Sequence, residues 1–214
     1  MNTSTIVVSS LAVVAAGWIC GCASSQSTRL YVLSSPDGIT PESEVSPNLA
    51  GAQIGIGRVR IPKHLARKPI VTEGEGAELA FSDFHHWGES LRDNLADVLL
   101  LNLAGLLPDS TLLLQRTLYG LNTAYSVHAE VLRLGGTLGE RAVLEARWSI
   151  SGKENDTFSV SAVHRYSREL DSSDYGVYVS ALNEMVMELS RDIAASLVQT
   201  ADAAAQPPPT THTG

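Results

Sequence analysis

The side chains best suited to move a proton near neutral pH are His64, His85, His86, His128 and His164. A hydrolase built on one of them needs an activated nucleophile, and the chain offers neither a Gly-x-Ser-x-Gly elbow nor a spacing partner that marks a triad. The densest group of metal-ligating types is Asp83, His85, His86 and Glu89. On a helix, Asp83 and His86 (i, i+3) and His85 and Glu89 (i, i+4) share faces, so pairs of them could approach one cation. A site needs three or four converging ligands, and no second cluster stands ready to complete this one. Helix capping and a solvated polar face are the simpler reading. No catalytic residue, metal or dissociable cofactor is expected.

Pro62 to Pro69 suggests recognition rather than reaction. Two prolines, Pro62 and Pro69, bracket His64, Leu65 and Arg67 in a stiff, exposed turn. An exposed loop with an apolar tip and a planar cation is a good docking element, and we expect a partner or oligomer contact there. The competing reading is a connection that packs Leu65 on the core. Trp87 and Trp148 fall on expected core faces, so each reads as packing rather than ligand stacking.

The whole composition narrows the partners further. The chain has 214 residues, 44% apolar and 18% charged, with 15 Lys and Arg against 23 Asp and Glu. That length suits one domain with a tail. A net charge of −8 lacks the basic footprint that phosphate-backbone binding requires, so nucleic acid is not an expected partner. Both cysteines, Cys20 and Cys22, lie at the N-terminus, which excludes a disulfide framework or a multi-cysteine metal site in the body.

From Ile6 to Ile19 the chain runs without a charge, the length of a secretory h-region and short of the ~20 apolar residues that span a bilayer. Met1-Asn2-Thr3-Ser4-Thr5 carries no Lys or Arg, so the positive n-region of such a signal is missing. Ile19-Cys20-Gly21-Cys22 resembles the lipobox of bacterial lipoproteins. Cys22, preceded by the small Gly21, is the better acceptor of the lipid, since Cys20 would place Ile19 at the cut. We therefore expect residues 1–21 to be a lipoprotein signal, and 22–28 a small, polar tether with a covalent diacylglycerol and acyl anchor on Cys22. Ala23 rather than Asp follows the cysteine, which under the sorting rule of Gram-negative lipoproteins implies the outer membrane.

The elements that carry these residues follow from periodicity. Arg29 to Leu33 and Ala52 to Ile61 read as strands, with a breaker-rich loop between them. Trp87, Leu91, Leu95, Val98 and Leu99 share one helical face, predicting a helix of about twenty residues from near Phe84, capped by Ser82 or Asp83 and ended at Gly105. Alternation in Tyr125–Val131, Leu144–Ile150 and Phe158–Tyr166 predicts three strands in an antiparallel meander, with turns at Gly135-Gly136 and Gly152 to Asp156. Asp171 to Asp174 then caps a second helix with Tyr178, Leu182, Met185, Leu189, Ile193 and Leu197 on one face. Residues 201–214 read as a disordered, proline-rich tail. The order predicts an α+β fold over 29–200: a two-layer sandwich of a mostly antiparallel sheet with two long helices on one face.

Several segments together resemble the ABC-type transport auxiliary lipoproteins of the PqiC/YmbA kind. They are the lipobox, the Leu30-Tyr31-Val32-Leu33 strand, Ile56-Gly57-Arg58-Val59, and Pro62-Lys63-His64-Leu65-Ala66-Arg67 leading into Ile70-Val71. Trp87 and Leu91 are similar to the tryptophan and leucine that open the family's first helix. The resemblance implies a non-catalytic lipoprotein of the outer membrane, facing the periplasm, beside an ABC or MCE-type lipid transport system. It implies as partners an MCE-type tunnel protein with its inner-membrane permease, with phospholipid as the cargo, and a homo-oligomeric ring. A monomeric lipid carrier with a sealed apolar cavity, or an envelope hydrolase gathering His64, His85, His86 or Asp83 in a pocket, are the alternatives that the residues leave open.

Overall fold

The computed structural model describes residues 27–41, 46–74, 76–114, 123–152 and 158–206. The expected signal, Cys20, Cys22 and the tether as far as Gln26 lie outside these residues, as do Lys153 to Asp156 of the expected second turn.

Alternating apolar and polar residues build the larger sheet. Strands β6 (Tyr125–Thr137), β7 (Arg141–Gly152) and β8 (Phe158–Glu169) form the expected antiparallel meander. Val127, Ala129, Val131, Leu144, Ala146, Trp148 and Ile150 are buried, while His128, Arg147, Val163 and Arg165 are exposed. The first turn is not at Gly135-Gly136: both stay in β6, and the chain reverses at residues 138–140. Gly136 has φ 131°, and a Cβ there would lie 2.0 Å from the Arg141 carbonyl oxygen. The glycine lets two strands approach, and does not itself turn the chain.

Strand β2 (Gln53–Ile56) pairs in parallel with β6 on one side and with β5 (Thr111–Leu114) on the other, giving the order β5-β2-β6-β7-β8. A separate sheet has the order β1-β4-β3, from β1 (Arg29–Tyr31), β3 (Pro69–Glu73) and β4 (Leu79–Trp87). The α+β class holds, but the single, mostly antiparallel sheet is in fact two mixed sheets. β6 and β7, joined by the tight turn at 138–140, pair antiparallel. Parallel pairing arises where long connections separate the partners, as between β1 and β4 and between β2 and β5.

Helix α1 spans Leu91–Leu106 and α2 spans Tyr175–Ala204. The first helix starts later than periodicity suggested: Leu79–Trp87 is a strand, Ser90 precedes the helix, and the helix runs through Gly105 to Leu106. Phe84, Trp87 and Leu91 do fit a helical spacing. Pairing of β4 with β3 and β1, anchored by the Trp87 N–H on the Lys68 carbonyl at 2.7 Å, overrides that local pattern. The second helix begins as expected, with the Asp174 carboxylate accepting from Gly176 and Val177. It also runs further, and the expected tail boundary at 201 is wrong. Ala201 is buried, and Asp202 accepts from Ser46 Oγ at 2.5 Å and Asn48 Nδ2 at 3.0 Å.

Both helices lie on one face of the five-stranded sheet, α1 against β2 and β5 and α2 against β7 and β8, and they pack on each other. Tyr178, Leu182, Met185, Leu189, Ile193 and Leu197 are all buried, as the spacing predicted. Asn102 Nδ2 donates to Ser190 Oγ across the helix pair at 3.0 Å. Outside it, Asp192 accepts from the Tyr166 hydroxyl at 2.5 Å and lies 2.6 Å from His164 Nδ1, while Arg168 reaches Glu184 and Glu188.

Candidate functional site

The smaller sheet and the loop beside it collect most of the residues singled out in the sequence. Lys63–Leu65 is one 3₁₀ turn, closed by the Leu65 N–H on the Pro62 carbonyl at 3.0 Å. Leu65 is 2% exposed, so the expected apolar tip points into the core and cannot touch a partner. Leu65 secures the loop, and its burial leaves Lys63, Arg67 and Lys68 exposed, with Pro62, His64 and Pro69 half-buried.

The apolar part of this surface comes from residues that sequence reasoning missed. The Arg67 guanidinium sits over the Phe81 ring at 5.4 Å from its centroid, and Phe81 is 42% exposed. Leu79 is exposed on the same strand, and so is Phe84, within the register shift where β4 departs from β3 and the His85 N–H turns to Ser82 Oγ at 3.0 Å. On the neighbouring strand β1, Leu30 is 68% exposed, and Val32 just after it is exposed as well. The signal that could have found them was the density of apolar residues in Leu79 to Phe84, which reading a helix start at Phe84 obscured.

The candidate ligand group does not converge. In a strand the i, i+3 and i, i+4 faces vanish and neighbours point to opposite sides. His85 is taken up by other contacts: its Nδ1 lies 2.8 Å from the Tyr31 hydroxyl, and its ring stacks on Tyr175 at 4.1 Å. That aromatic stack ties β1 and β4 to the start of α2. Glu89 lies beyond the strand end. Among the described residues, no three His, Cys, Asp or Glu gather where a metal ion could sit. None of Asp83, His64, His85 and His86 lines a described cavity, and those cavities include charged or polar walls. Trp87 is buried and Leu91 opens α1, so both serve packing.

What remains, among the described residues, is the guanidinium of Arg67, the ammonium groups of Lys63 and Lys68, and several exposed apolar side chains on the neighbouring strands. Such a face can bury apolar area and pair with acidic groups on another molecule. Among the described residues, no helix is long and apolar enough to cross a membrane.

The model of the family described as the ABC-type transport auxiliary lipoprotein component matches residues 31–194. No curated protein matches the sequence. The fold is similar to protein XCC0632 from Xanthomonas campestris, of the DUF330 family, with TM-score 0.72 and 13% identity over 84% of this chain and 100% of that one. An uncharacterized protein of known structure superposes with TM-score 0.64 and 16% identity, over 80% of this chain and 99% of that one.

Proposed function

The chain belongs to the ABC-type transport auxiliary lipoprotein family, and we propose that it is a non-catalytic outer-membrane lipoprotein that seats the far end of an MCE-type periplasmic tunnel. The observation that carries this reading is the position of the Arg67–Phe81 surface: it lies on the sheet whose strand β1 directly follows the tether. With the acyl chains on Cys22, the residues up to Arg29 extend to about 25 Å at most. Two or three acyl chains, at about 0.8 kcal/mol per buried CH₂, hold such a domain stably on a membrane. The exposed side chains of β4 and the 62–69 loop are then held close to the bilayer. There they meet the tunnel protein, whose permease sits in the inner membrane, while copies of this domain assemble side by side in a homo-oligomeric ring. Phospholipid is the cargo that this arrangement serves.

The test is in-cell photo-crosslinking from position 81, with position 163, exposed on β8 of the other sheet, as the control. An adduct with an MCE-domain protein from position 81 and not from 163 is the expected result. Adducts from 81 confined to other copies of this chain, or no adduct at all, would overturn the seating role. In parallel, Cys22→Ala should release the protein from the outer-membrane fraction. Retention there would remove Cys22 as the anchor.

A further inference from the structure

A second surface concentrates arginines on an otherwise acidic chain. After β2 the backbone keeps following β6: the Gly57 N–H donates to the Val127 carbonyl at 2.8 Å, and the Arg60 N–H to that of Ala129 at 3.0 Å. Arg60 is thereby paired with Glu130, which is paired with Arg147 on β7. In the neighbouring row, His128 is paired with Ser149 and Ser149 with Ser161. Paired positions share a sheet face, and alternation places Arg58 with Arg60. The result is an open groove of about 580 Å³ on the sheet face away from the helices, lined by Arg58, Arg60, His128, Glu130, Arg147 and Ser161 among others.

The charges in the groove do not cancel. Glu130 Oε2 accepts from Arg147 Nη1 at 3.1 Å, and among the described residues no carboxylate pairs with Arg58 or Arg60. A Cβ on Gly57 would lie 2.8 Å from His128 Nδ1, so the glycine is what lets the imidazole rest against the strand. Burial, and then Arg60, hold the His128 pKa below the ordinary imidazole range. Among the described residues, the groove lining therefore offers guanidinium forks and serine hydroxyls beside a single acidic group, Glu130.

We propose that this groove binds a phosphate group, with Arg58 and Arg60 as the principal donors. The planar guanidinium fork matches two phosphate oxygens at once, and serine hydroxyls suit a third. The phosphate can belong to a phospholipid headgroup or be a free anion. The lipid source rests on the transport reading above, whereas the anion site rests on the arginines alone.

The test titrates the full-length lipidated protein in nonionic detergent with two soluble probes, glycerophosphoglycerol and inorganic phosphate, with glycerol as the uncharged control. Saturable binding of either phosphate probe and none of glycerol is expected. Tighter binding of the diester assigns a lipid headgroup, and tighter binding of inorganic phosphate assigns a free anion. The double variant Arg58→Gln/Arg60→Gln should weaken binding at least tenfold with an unchanged melting temperature, and Arg60→Lys should weaken it less than Arg60→Gln. Failure of both probes to saturate, or equal binding by the double variant, overturns the site. Probe binding without a crosslink from position 81 removes the tunnel partner but leaves the groove; a crosslink without probe binding does the reverse.

Discussion

Asn94 and Leu33 form a reciprocal pair: the Leu33 N–H donates to Asn94 Oδ1 at 2.7 Å, and Asn94 Nδ2 donates to the Leu33 carbonyl at 3.1 Å. A buried side chain of α1 thus supplies both hydrogen bonds that a neighbouring strand would have made. β1 is a three-residue edge strand, and this pair fixes the chain just after it. Asn94→Ala strands a buried donor and a buried acceptor, and should cost about 1–3 kcal/mol. Urea unfolding checks this as a lower midpoint with an unchanged slope.

Leu65 and Arg67 are two residues apart and should respond in opposite ways. Leu65→Ala removes a buried side chain and should cost about 2–5 kcal/mol of stability. Arg67→Glu removes an exposed cation–π contact, worth about 0.5–1 kcal/mol, and should leave the fold intact while abolishing the crosslink from position 81. Stability and crosslinking measured on the same two variants would separate a structural loop residue from a contact residue. Equal effects on both would remove the distinction.

Glu73 and Arg133 join the two sheets through paired bonds, Nε to Oε1 at 2.7 Å and Nη2 to Oε2 at 2.5 Å. The Arg133 hydrogen bonds lead in lowering the Glu73 pKa below its ordinary value of 4.5. A folded pKa below the unfolded one contributes stability above about pH 4.5, lost as pH falls through the lower folded value. Glu73→Gln should therefore lower the urea midpoint at pH 7, and the gap from wild type should close as pH falls below 4.5 and through the lower folded pKa. A gap independent of pH would assign the loss to packing instead of charge.

Gly136 and Gly57 predict a similar contrast. Alanine at 136 would place a carbon 2.0 Å from the Arg141 carbonyl oxygen, at a φ of 131°. The strain alone is about 1–3 kcal/mol, and the melting temperature should fall clearly. Alanine at 57 meets first the His128 side chain, so Gly57→Ala should displace that imidazole with a smaller loss of stability. NMR of the His128 ring, alongside the melts, checks both halves.

Local pattern determined a large part of this protein. The alternation through Val127 to Val131 and Leu144 to Ile150, the Asp174 cap and the buried stripe from Tyr178 to Leu197 all depend on residues within a few positions of one another, and the structure keeps them. What depended on distant partners was decided only by the tertiary structure. Leu79 to Trp87 is a strand because β3 and β1 are there to pair with it; β2 lies parallel between β5 and β6; and Leu65 is buried by the core beneath its loop. The contact of Arg67 with Phe81 and the convergence of Arg58, Arg60 and Arg147 cross between elements for the same reason. Hydrophobic period specifies which face of an element is buried, but not which other element covers it, because that choice is made by contacts between residues far apart in the chain.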